Sequence, residues 1–122
     1  MGLDMYAVTR VGQLPAAVDF ADGPGDSELC YWRKHPNLHG WMERLYRDKG
    51  GKEPVFNCAN VALAQEDLDR LEADIRAGSL PPTSGFFFGA SDGSERDDDL
   101  SFIAKARDAI AAGNSVYYTS WW

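Results

Sequence analysis

The chain has 122 residues, 44% of them hydrophobic, 25% charged and 12% aromatic, a balance that buries a core and excludes a largely disordered protein. Its formal charge of −7 is uneven: residues 1–30 carry −4 and residues 65–108 carry −6, while residues 33–52 carry +4. A net acidic chain repels a phosphodiester backbone, so general nucleic-acid binding is not expected. No apolar run approaches the roughly 20 residues of a membrane helix, and Asp4 stands where a secretory leader carries Lys or Arg, so the expectation is a soluble, cytoplasmic protein with no membrane partner. Met-Gly at the start lacks the Ser or Thr of a myristoylation motif, since position 6 is Tyr6. Cys30 and Cys58 have no C-x-x-C spacing, which fits free thiols.

In chain order, Leu3 to Arg10 alternates as a first strand, with Leu3, Met5 and Ala7 on one face and Asp4, Tyr6 and Val8 on the other. Residues 11–27, with two prolines and three glycines, read as a long loop. Its end, GPGDSE, lacks the third glycine and the setting of a dinucleotide fingerprint. Glu28 to Lys34 is a second strand, with Leu29, Tyr31 and Arg33 facing away from Cys30, Trp32 and Lys34. Pro36 opens a helix over 36–48, whose apolar face is Leu38, Trp41, Met42 and Leu45. Residues 55–63 read as an extended segment, and 65–77 as a second helix with Leu68, Leu71 and Ile75 inward, acids in its first turn and Gly78 just past its end.

Residues 79–84 are a loop, GFFFG at 85–89 is a short strand, and 90–96 is a polar loop. Asp97, Asp98 and Asp99 supply the cap and first-turn charge of a third helix, 98–112, with Phe102, Ile103, Ala106 and Ile110 inward. Ser115 to Trp121 is a final strand. The expected fold is α+β: one domain over 1–122, with a small mixed or antiparallel sheet of four to five strands and three helices mainly on one face.

The segments MGLDMY, YWRK followed by Asn37, His39 and Trp41, GFFFG and the closing YYTSW together resemble a family of small uncharacterised bacterial and phage-related proteins. The match covers nearly the whole chain and falls on Asp4, Tyr6, Tyr31, Trp32, Arg33, Lys34, Asn37, His39, Trp41, Gly85 to Gly89, Ser120 and Trp121. Pro36 with His35, and the 11–27 insertion, stand outside the pattern. The resemblance implies a phage or mobile-element setting and carries no activity.

The chemistry concentrates in residues 31–39. A helix start presents unpaired N–H groups and the positive end of a dipole, and Arg33 and Lys34 immediately precede this one, an arrangement that receives anions. Tyr31 and Trp32 can stack on a base, and Asn37 and His39 can donate hydrogen bonds, with Asp4 in support. The competing reading is structural: Trp32 and Trp41 in the core, Arg33 paired with Asp4, and Asn37 or His39 satisfying backbone. His35 and His39 have the i, i+4 spacing of metal ligands, but Cys30 and Cys58 complete no zinc module, so no metal or cofactor is expected. Phe87 faces opposite to Phe86 and Phe88 and, with Tyr117, Trp121 and Trp122, belongs either to the core or to an aromatic patch for a partner or a homo-oligomer.

The function these features point to is a non-enzymatic binding or interaction protein for a protein partner or a small anionic, nucleotide-like ligand. The alternative is a small enzyme acting on a phosphorylated or nucleotide-like substrate, with His39 or Asp4 as the acid–base group and Arg33 and Lys34 holding the anion.

Overall fold

The computed structural model describes residues 2–85 and 87–122. Among the described residues four strands and three helices follow one another as β1 (Asp4–Val11), β2 (Ser27–Arg33), α1 (Pro36–Asp48), β3 (Val61–Leu63), α2 (Gln65–Ala77), α3 (Arg96–Ala111) and β4 (Asn114–Trp121). The strands form one antiparallel sheet in the order β2-β1-β4-β3. The α+β architecture expected from the sequence is therefore present, with β1 and β4, drawn from opposite ends of the chain, as the two central strands.

The alternation of the strands decides what each face does. Met5 and Ala7 of β1, Trp32 of β2, Val116 and Tyr118 of β4, and Val61 and Leu63 of β3 point to the helical side, where Leu38, Met42, Leu68, Leu71, Phe102 and Ile103 meet them in one core. Complete burial of each of the Val, Leu, Ile, Phe and Met side chains among these contributes about 1.5–3 kcal/mol. Helix α1 is tied to α2 through Trp41, whose indole N–H donates to Asp74 at 2.8 Å. Arg107 of α3 bridges Asp69 and Glu72 of α2. Asp67 closes the start of α2 by accepting the Ala64 N–H at 2.8 Å, and Lys49 neutralises it.

The loop between β1 and β2 has a structural course of its own. Val18 bridges to Val61 beyond the β3 edge. The chain then lays Phe20 edge-on against Tyr117, ring centroids 5.1 Å apart, on the outer face of the sheet. Arg10 holds Asp26 through two hydrogen bonds, and the Tyr117 hydroxyl donates to the same carboxylate at 2.6 Å. These contacts cover one half of the outer face and leave the half around Asp4 and Tyr6 bare.

Two expectations are corrected. GFFFG is not a strand among the described residues: Phe87 and Gly89 take left-handed φ of 62° and 72°, the Phe88 N–H turns back onto the Gly85 carbonyl, and Phe86 lies outside the described residues. A left-handed residue cannot continue the extended ladder. Helix α3 begins at Arg96, with Glu95 at its cap making no side-chain cap bond, so Asp97, Asp98 and Asp99 occupy the first turn and do not cap it.

Candidate functional site

The seven residues singled out in the sequence separate into different environments. Tyr31 and Arg33 project from β2 onto the bare outer face, where both bind the same oxygen of Asp4: the Tyr31 hydroxyl at 2.6 Å and the guanidinium at 2.9 Å. The Tyr31 hydrogen bond, joined by Arg33, holds the Asp4 carboxyl below its ordinary value. Tyr6 stands beside Tyr31 with ring centroids 5.3 Å apart. The cross-strand register puts Trp121 opposite Asp4 and Thr119 opposite Tyr6, so these six side chains form one surface. Trp121 is 68% exposed and Tyr31 45%.

Trp32 points the other way, into the core, as alternation requires. Its indole N–H donates to Asp99 Oδ1 at 3.0 Å. His39 is enclosed by Phe56, Phe88, Tyr118 and Trp122, with only 1% of its surface exposed, and its Nδ1 is 2.6 Å from the Tyr118 hydroxyl. Burial lowers the His39 pKa to about 4, so the ring is neutral near pH 7. Asp4 lies on the opposite face of the sheet from it, so the two groups named for acid–base work share no site. Lys34, in a left-handed conformation with φ of 58°, redirects the chain from β2 toward α1. Its N–H bonds the Leu3 carbonyl at 2.8 Å, and its aliphatic stem lies along Gly89. Asn37 accepts the Thr83 N–H at 3.0 Å, the satisfied-backbone role weighed for it.

Only Asn37 of this set lines the cleft at the start of α1. This cavity, about 330 Å³, is lined by the apolar Ile75 and Leu80 together with His35, Ser91, Glu95, Arg96 and Asp99. The cap position of α1 is His35, which makes no cap bond of its own; the Asn37 N–H is received by Ser91 Oγ at 3.1 Å. His35 is buried, with Nδ1 2.6 Å from Ser91 Oγ and Nε2 2.8 Å from Asp99 Oδ2. His35 and His39 thus turn to different partners despite their i, i+4 spacing, and among the described residues no cluster of three or more His, Cys, Asp or Glu has the arrangement of a metal site.

No family model, curated protein or solved structure matches the chain. The site rests on its own geometry.

In the sequence Ser91 has no evident role, Asp99 belongs to the capping and first-turn acids of the third helix, and His35 is weighed as a metal ligand and set aside. Ser91 and His35 are 56 positions apart and His35 and Asp99 are 64 apart, distances at which no local period operates. The one available signal was His35 before Pro36, a polar ring held at a fixed backbone point where the chain leaves the sheet.

Proposed function

We propose that this protein is a binding protein whose recognition surface is the bare half of the outer sheet face, formed by Asp4, Tyr6, Tyr31, Arg33, Thr119 and Trp121, and that its partner is another protein. The observation that carries the reading is the exposure of Trp121 at 68% and Tyr31 at 45% on one continuous sheet surface, beside a half that the chain covers with its own loop. Aromatic side chains with apolar bodies and polar tips, bordered by Arg, are the composition of energetically dominant interface patches. Asp4 and Arg33 neutralise each other there and hold Tyr31 in one position, which lowers the ordering cost of binding.

An anion or nucleotide-like ligand at the start of α1 is the weaker reading. Glu95 and Asp99 carboxylates line that cleft against the single Arg96 guanidinium, and Lys34 lies along Gly89. No helix among the described residues is long and apolar enough to cross a membrane.

The test is affinity capture from a lysate of the source organism with the wild type and with Tyr31→Ser combined with Trp121→Ser. Both positions are exposed, so the double variant keeps the wild-type melting temperature within a few degrees and loses the captured protein. Equal capture by both proteins excludes this surface.

A further inference from the structure

Beyond the cap that Ser91 gives α1 and the bond that Asp99 gives Trp32, Ser91, His35 and Asp99 are joined in a line by two short contacts. We propose that they form a nucleophilic triad, and that the cleft at the start of α1 hydrolyses small uncharged carboxylic esters.

Asp99, at 1% exposure, is fixed from two sides: Oδ1 accepts the Trp32 indole N–H and Oδ2 faces His35 Nε2 at 2.8 Å. A carboxylate only accepts, so a neutral imidazole facing it places its hydrogen on Nε2 and turns the Nδ1 lone pair to Ser91. Nδ1 is 2.6 Å from Ser91 Oγ, within the range for direct proton transfer. The order nucleophile, base, orienting carboxylate is therefore complete, with the ring presented through Nδ1 to the serine and Nε2 to the acid; such triads are defined by these roles and distances on any fold.

The surroundings suit the same chemistry. Ser91 is partly exposed on the cleft lining while its base is buried behind it, so the hydroxyl is the member of the three that faces a substrate. The Asn37 N–H, 3.1 Å from Oγ at the start of α1, holds the Ser91 hydroxyl in place at the cleft. Ile75 and Leu80 provide an apolar wall for an acyl chain, and the cavity of about 330 Å³ matches a small ester. Glu95 Oε2, 3.7 Å from His35 Nδ1, together with Asp99 disfavours an anionic substrate and selects a neutral one.

In the reaction, Ser91 Oγ bonds to the ester carbonyl carbon as its proton passes to His35 Nδ1. The tetrahedral species collapses, the carbon–oxygen bond to the alkoxy group breaks, and the departing alcohol takes the proton from Nδ1. Water then attacks the acyl-serine, giving its proton to Nδ1, and the Ser91 oxygen leaves and recovers that proton. One ester and one water become one acid and one alcohol, with no oxidation or reduction.

The experiment treats the intact protein with an excess of a fluorophosphonate, maps the adduct by peptide mass spectrometry, and follows hydrolysis of p-nitrophenyl butyrate. The expected result is one adduct per chain, on Ser91, with hydrolysis abolished in Ser91→Ala and reduced at least about 100-fold in His35→Gln. A thermal melt shows whether each variant is folded, and the adduct map on the wild type needs no variant. Folded wild-type protein with no adduct on Ser91, or Ser91→Ala hydrolysing the ester at the wild-type rate, overturns the proposal and leaves Ser91 as an external cap of α1.

Discussion

At the scale of single residues, burial turns polar side chains into conditional stabilisers. His39 has a folded pKa of about 4 against an ordinary value of 6.5. Its protonation is therefore opposed by the folded state, the unfolded chain binds more protons between these values, and stability is retained above pH 6.5 and lost as the pH falls toward 4. The loss amounts to about 1.4 kcal/mol per pH unit within that window. Chemical denaturation between pH 7 and pH 4 should show this slope in the wild type and a flatter one in a folded His39→Gln variant. Asp4, Asp26 and Asp67 have lowered pKa values, so their contributions are present above the ordinary carboxylate range and disappear only at more acid pH. Asp99→Ala acts differently, because it strands two interior donors, the Trp32 indole and the His35 ring, at about 1–3 kcal/mol each. Urea unfolding should register a loss of that size, with Asp99→Asn losing less because an amide oxygen still accepts one of the two bonds.

At the scale of elements, α1 and α2 have the bounds that periodicity, Pro36 and Gly78 announce, because a helix end is a local event written in a few adjacent residues. GFFFG misled for a related reason: aromatic composition favours a strand, but the Phe87 conformation is imposed by burying Phe88 against His39 and Trp122, which composition does not encode. The outer-face cluster of Asp4, Tyr31 and Arg33 was half legible, since alternation assigns faces. The Ser91–His35–Asp99 contact was not, since it depends on where a loop lies on a helix from another part of the chain. The same loop region explains Gly40. A Cβ there would stand 1.9 Å from Thr83 Oγ1, so α1 approaches residues 81–83 more closely than any side chain permits. Gly40→Ala should therefore destabilise by about 1–3 kcal/mol despite the higher helix propensity of Ala, measurable as a lower urea midpoint.

At the scale of the whole molecule, the long loop is a cover for one half of the sheet. Asp26 anchors it, accepting from Arg10, Tyr117 and the Gly23 N–H. Asp26→Ala should release residues 12–26, seen as rapid hydrogen exchange in that segment and a melting temperature lower by about 5 °C, while amides of α1 to α3 retain protection. The placement of β1 beside β4 has one more consequence, in biosynthesis. The Thr9 hydroxyl bonds the Ser115 carbonyl 106 residues further on, so the middle of the sheet has no partner while most of the chain is being translated. A nascent chain can form the β1–β2 hairpin and its helices early, but the inner edge of β1 stays open until β4 clears the ribosome, and that interval is when the chain is most exposed to chaperones and to mispairing with its neighbours on a polysome.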